Sequence, residues 1–208
     1  MNTKHKPRWG VLGGTFDPPH VGHLILAEEA LYQLNLESIH WLLTPDPPHK
    51  TERQISPVNH RVEMLRLALS GENRFCLSYL DINRPSPHYA ADTMRLLRAQ
   101  NSHIYWVYLM GGDSLADLPT WERPLEFLQA CDEIGVMLRP GRTIDLEALN
   151  SELPGLKDKV RLLQAPLLEI SSTTLRKNIA EGIAYRYYLL PSVYNYVENH
   201  SLYQQLIG

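Results

Sequence analysis

Strand-like and helix-like segments alternate along this chain from residue 8 to about 164, and that alternation limits the fold more than any other feature. Apolar runs at 8–13, 38–43, 75–80, 103–110, 133–139 and 160–164 read as strands. Between them, helical spacing of apolar residues falls at about 21–35, 57–70, 86–100 and 145–150. The run Ile104-Tyr105-Trp106-Val107-Tyr108-Leu109-Met110 is apolar without a break, as in a strand buried on both faces of a parallel sheet. Strands that alternate with helices cover both faces of one sheet, so the expected fold is α/β, doubly wound and mainly parallel. From about 165 the rhythm changes to helix, turn and helix, at 171–181 and 192–200, predicting a small helical C-terminal lobe. No internal repeat, low-complexity tract or linker interrupts the chain, so 1–208 is expected to form a single domain.

Local punctuation supports these bounds. Ser56-Pro57 resembles an N-cap with proline at the first helical position, and Ser70-Gly71 and Glu181-Gly182 resemble helix ends. With 208 residues the chain can bury a substantial core. A net charge of −3 argues against a general nucleic-acid binder, which shows a basic face. No run of about 18 apolar residues exists to span a membrane, and Met1 to Arg8 is basic without an apolar signal core. Cys76 and Cys131 lie far apart in apolar runs and read as reduced core thiols, which points to the cytoplasm. The chain is expected to act as a monomer or homo-oligomer.

Ligands of such sheets bind beyond the carboxyl ends of the strands. Three unusual loops fall there: 13–23, 44–56 and 111–123. The first reads Gly13-Gly14-Thr15-Phe16-Asp17-Pro18-Pro19-His20-Val21-Gly22-His23. A strand that breaks on two glycines and restarts as a helix leaves unpaired N–H groups at the helix mouth, where the helix dipole also favours an anion. His20 and His23 add two imidazoles at helical spacing, able to donate to phosphate oxygens and to gain charge as negative charge builds. Histidines that merely cap a helix are the plainer alternative. A zinc site using Asp17 would leave the glycines unexplained. The spacing matches neither a P-loop nor a dinucleotide fingerprint.

A second motif, Ile170-Ser171-Ser172-Thr173-Thr174-Leu175-Arg176, opens a helix with hydroxyl caps and sets Arg176 one turn in, a second potential phosphate site. Taken alone it could be a well-capped helix with a surface arginine. Pro47-Pro48-His49-Lys50 presents a cation on a stiffened loop. Met110-Gly111-Gly112-Asp113-Ser114-Leu115 lets a ligand approach the backbone and offers Asp113 to a ribose. Trp121 offers a flat face for an aromatic ring, and Arg139-Pro140-Gly141 ends a strand. There is no nucleophile elbow, no activated cysteine and no carboxylate cluster of the two-metal kind. What remains is phosphate chemistry, in which positioning and charge neutralisation do the catalysis.

Residues 13–23 resemble the GGTFDPxHxGH signature of the HxGH nucleotidyltransferase superfamily, and Ile170 to Arg176 resembles its ISSTxxR element. Within that superfamily the chain is most similar to the bacterial nicotinate-nucleotide adenylyltransferases, through Pro119-Thr120-Trp121 and the ending Tyr188-Leu189-Leu190-Pro191. The resemblance implies a Rossmann-like fold and adenylyl transfer from ATP to nicotinate mononucleotide, with Mg²⁺ accompanying ATP. It also implies roles for individual residues. His20, His23 and Arg176 would be catalytic; Gly13, Gly14, Thr15, Phe16, Gly112, Asp113 and Ser172 would bind ATP. Lys50, Tyr89, Ala90, Trp121, Glu122 and Arg139 would bind the acceptor, and no metal is expected on protein ligands. The chain departs from the family at His88-Tyr89-Ala90-Ala91-Asp92-Thr93, where Ser-Tyr-Thr-Ala-Asp-Thr is usual; a hydroxyl is lost but the backbone amide stays. Transfer to phosphopantetheine or nicotinamide mononucleotide is the alternative within the superfamily, and a nucleotide-sensing regulator the alternative outside catalysis.

Overall fold

The computed structural model describes residues 6–46, 55–138, 143–166 and 169–204. Strands β1 (Arg8–Gly14), β2 (Ser38–Leu43), β3 (Phe75–Ser78), β4 (Tyr105–Gly111), β5 (Glu133–Met137) and β6 (Val160–Leu163) form one parallel sheet in the order β3-β2-β1-β4-β5-β6. The winding reverses between β1 and β4, which pair directly, Leu12 opposite Leu109. Crossovers leave these two strands in opposite directions, so a crevice opens beyond their carboxyl ends.

Alternation along each strand sends neighbouring side chains to opposite faces. Val11, Trp106, Ile134 and Val136 pack with Met94 and Leu97 of α3 (Ala90–Gln100) and with Phe127 and Leu128 of α5 (Pro124–Ala130). Leu12, Ile39, Trp41 and Leu109 pack with Leu26, Ala27, Ala30 and Leu31 of α1 (Val21–Gln33) and with Leu65 and Leu69 of α2 (Val58–Leu69). A second face of α2 is covered as well. Met64 and Ala68 meet Leu175 and Ile179 of α8 (Ser172–Ala180) and Val193 and Val197 of α9 (Pro191–Asn199). The expected C-terminal lobe is thus fastened through α2, each fully buried aliphatic side chain adding roughly 1.5–3 kcal/mol.

The sequence expectations hold for all six strands and for the fold class, with several local corrections. Between β4 and β5 lie two helices that periodicity did not reveal, α4 (Gly112–Ala116) and α5; both are short, and glycine, proline and aspartate surround them. Pro57, not Ser56, is the N-cap of α2, while α3 begins at Ala90 rather than 86 because two prolines precede it. Cys76 is exposed, because β3 is an edge strand; Cys131 is buried but caps α5 instead of lying in β5. Near the end of the sheet, α6 (Leu146–Glu152) runs from an Asp145 N-cap and is followed by an unanticipated single turn, α7 (Leu156–Lys159). Among the described residues no helix is long and apolar enough to cross a membrane.

Candidate active site

The crevice holds two adjoining lobes. The larger, about 450 Å³, is lined by the first loop, by Gly111 at the end of β4 and Asp113 beyond it, and by Ile170 to Thr173 and Arg176. The smaller, about 270 Å³, is lined by Thr44, His88, Tyr89, Ala90, Trp121 and Glu122. Gly13, Gly14, Thr15, Tyr108, Ser114 and Trp121 border both. Two substrates bound one per lobe would meet over the glycines.

Close approach explains those glycines. A Cβ on Gly13 would sit 2.9 Å from the Tyr108 hydroxyl oxygen, and one on Gly14 would sit 2.9 Å from Cζ of the Phe16 ring. Phe16 itself has a positive φ of 49°, folding its buried ring back under the loop. There it meets His23 edge-on at 5.1 Å.

His20 is the N-cap of α1 and His23 the third residue of that helix. The His20 backbone N–H donates to His23 Nδ1 at 3.2 Å. An accepting Nδ1 carries no proton, so the neutral His23 ring holds its proton on Nε2. The two rings stack at 3.7 Å. Burial pushes the His20 pKa down from 6.5 to about 4, and its Nδ1 is buried without a partner among the described residues. Thus the histidines do cap the helix, yet both rings border the larger lobe. Capping therefore leaves both imidazoles on the wall of that lobe.

The second motif reaches the first. Ser171 caps α8, its Oγ accepting from Thr174 N at 3.1 Å. One residue on, Ser172 Oγ donates to the Pro18 carbonyl at 2.8 Å, and Arg176 Nη1 donates to the Asp17 carbonyl at 2.7 Å. Asp17 is 2% exposed, and its carboxylate accepts from Tyr203 Oη at 2.7 Å and from Ser56 N at 3.2 Å. That side chain ties the loop to the C-terminal segment. Burial first, and the Asp17 charge second, push the Tyr203 hydroxyl well above its usual range, so it stays a donor.

Trp121 is half-buried between lobes, 5.3 Å from the Phe127 ring and 6.3 Å from Tyr108. Tyr89 and Ala90 stand at the start of α3, opposite Trp121 and Glu122 across the smaller lobe. An Asp92–Arg123 pair, with contacts of 2.5 and 3.1 Å, clamps these two walls together. A Cβ on Gly112 would meet Leu138 Cδ2 at 3.2 Å and Ile144 Cδ1 at 3.3 Å, while its neighbours Gly111 and Asp113 border the larger lobe. Lys50 and Arg139 lie outside the described residues.

Sequence inspection missed Arg61. It is 2% exposed, and its guanidinium donates to four carbonyls: Ser56 (2.8 Å), Thr44 (2.8 Å), Pro45 (2.7 Å) and Thr15 (3.3 Å). A signal was present. Arg61, Met64, Leu65, Ala68 and Leu69 fall on one helical face, so the cation had to be buried with the rest. Tyr108 and His88, both bordering the smaller lobe, were also not singled out as site residues.

A doubly wound sheet with an imidazole pair and two helix mouths over its switch point defines a nucleotidyltransferase, and residues 11–178 match the cytidylyltransferase-like family. A probable nicotinate-nucleotide adenylyltransferase of Thermomicrobium roseum is 43% identical over 197 residues, covering 95% of this chain and 92% of that one. Its counterpart in Roseiflexus sp. is 40% identical, covering 94% and 97%. The chain belongs to the nicotinate-nucleotide adenylyltransferase branch of that family. The solved Plasmodium falciparum nicotinic acid mononucleotide adenylyltransferase, complexed with NaAD, superposes with a TM-score of 0.78 at 18% identity over 97% of this chain and 100% of that one, a likeness of fold.

Proposed function

We infer that the two-lobed cleft transfers the adenylyl group of ATP to nicotinate mononucleotide, releasing pyrophosphate and forming deamido-NAD. The carrying observation is that Ser172 and Arg176 of the second motif bond directly to the loop that presents His20 and His23, so both ends of a polyphosphate are received in one lobe. The backbone at 13–16, with Gly111 and Asp113, runs along the adenosine. Arg176 and Ser172 take the β- and γ-phosphates, the arginine through a planar set of donors suited to phosphate oxygens. The acceptor lies in the smaller lobe, its pyridine ring against Trp121 and its carboxylate toward the amides of Ala90 and Glu122. Lys50 and Arg139 are further candidates for its phosphate.

An oxygen of the mononucleotide phosphate attacks the α-phosphorus in line. The bond from that phosphorus to the α–β bridging oxygen breaks, and pyrophosphate leaves with the electron pair. His23 Nε2–H donates to the α-phosphoryl oxygens as their charge grows. His20, neutral in the free protein, takes up a proton more readily once an anion lies beside it. Donors fixed before the reaction are worth more than water that must reorient. Mg²⁺ supplies charge neutralisation on the polyphosphate. Two free thiols, Cys76 and Cys131, accord with a cytoplasmic setting.

Mass analysis of products from ATP and nicotinate mononucleotide tests the assignment. Deamido-NAD and pyrophosphate in equal amounts are expected. Turnover with phosphopantetheine and none with the mononucleotide would refute it.

A further inference from the structure

Tyr108 borders both lobes of the cleft, and the mechanism above does not use it. It stands on β4 opposite Val11 of β1, where the winding of the sheet reverses. Its ring packs edge-on against Phe127 at 4.9 Å and leans along the strand, as strand side chains do. The hydroxyl thereby reaches past Val11 to Gly13, where a Cβ would lie 2.9 Å from the oxygen. Phenylalanine would make the same ring contacts. The hydroxyl adds a polar group to the cleft floor, and among the described residues no hydrogen bond holds it. Tyr108 is partly exposed, so the open side of the hydroxyl is the cleft. Burial pushes its pKa well above the usual phenol range, which leaves a neutral group able to donate one bond and accept another. A polar group so placed costs stability unless an occupant pairs with it.

We propose that the Tyr108 hydroxyl hydrogen-bonds a ribose hydroxyl of the bound mononucleotide and holds the sugar over Gly13. The proposal rests on the acceptor assignment above. In that assignment the pyridine ring lies against Trp121, whose ring centre is 6.3 Å from that of Tyr108. The phosphate must reach the α-phosphorus in the larger lobe, beside His20 and His23. What joins the two is the sugar, and it crosses the border residues Gly13, Tyr108 and Ser114. Its hydroxyls are neutral and both donate and accept, which suits a neutral phenol; the phosphate is met instead by the amides of the helix mouth. The bond exists before and during reaction alike, so its loss falls on the mononucleotide KM and not on kcat.

The test compares the wild type with Tyr108→Phe by pyrophosphate release. The acceptors are nicotinate mononucleotide and the two analogues that each lack one ribose hydroxyl. In the variant the mononucleotide KM should rise roughly three- to tenfold, the discrimination of one hydrogen bond between neutral groups. The ATP KM and kcat should stay as they are. One analogue should lose the same factor with the wild type and nothing further with the variant, whose half of the bond has already gone. Because the substitution breaks no bond within the protein, thermal melts should find the variant at least as stable as the wild type. An unchanged mononucleotide KM, a change confined to the ATP KM, analogue losses that are the same in both proteins, or a lowered melting temperature overturns the role of Tyr108 alone. Failure of the wild type to use nicotinate mononucleotide overturns the acceptor assignment instead.

Discussion

Replacing Arg61 with leucine removes a side chain that joins the loops after β1 and β2 to the start of α2. Three of its hydrogen bonds are 2.7–2.8 Å, to Pro45, Thr44 and Ser56, and the fourth, to Thr15, is 3.3 Å. Bonds to a charged group contribute about 1.5–3 kcal/mol each. The sum over three is an upper bound, because loop carbonyls regain some water and the leucine escapes the cost of burying a cation. Burial lowers the Arg61 pKa while Asp17 and Asp46 oppose the effect, so the group keeps its charge in the fold. A loss of about 3–5 kcal/mol is expected, a melting-temperature drop of roughly 10 °C for a chain this long. Arg61→Lys keeps the charge but not the fork and should lose about half as much. Because the Thr15 carbonyl belongs to the cleft floor, the ATP KM should rise in the leucine variant below its melting point. Calorimetry and steady-state kinetics give both numbers. A melting temperature within about 2 °C of wild type, with an unchanged ATP KM, would refute the account of Arg61.

Three further outcomes follow from the cleft. His20 has a pKa depressed from 6.5 to about 4 in the fold, so the unfolded chain takes up the proton first; its stabilisation is complete above pH 6.5 and falls by up to about 3 kcal/mol as pH drops toward 4. Urea titrations should show this acid-side loss shrinking in His20→Asn, and equal pH dependence would count against it. His23→Ala should lower kcat by roughly 10²-fold with the fold retained; near-normal kcat would remove His23 from the transition state. Trp121→Ala should raise the KM for the mononucleotide more than it lowers kcat, since stacking is present before and during reaction; a change confined to the ATP KM would place the ring elsewhere.

The sheet was legible because a parallel strand buried on both faces has a continuous apolar signature, as in 104–110, and because the helices of 21–35 and 57–70 are long enough to show a period. The short helices α4, α5 and α7 were not, since they span two turns at most and glycine, proline or aspartate interrupts their surroundings. In the site, the backbone cradle and the histidine pair could be read locally: both lie within eleven residues, at spacings that only a strand-to-helix turn satisfies. What could not be read was pairing across the fold. Nothing in residues 13–23 says that Asp17 would be occupied by Tyr203, or that Arg176 would rest on the Asp17 carbonyl.

The central claim is direct transfer between two substrates held over Gly13 and Gly14, with no adenylylated side chain between. The stereochemical course at phosphorus tests it most directly, using ATP made chiral at the α-position by sulfur substitution. One in-line displacement predicts inversion of configuration in the dinucleotide formed from nicotinate mononucleotide. Retention would mean two displacements through a covalent intermediate, and would contradict the account.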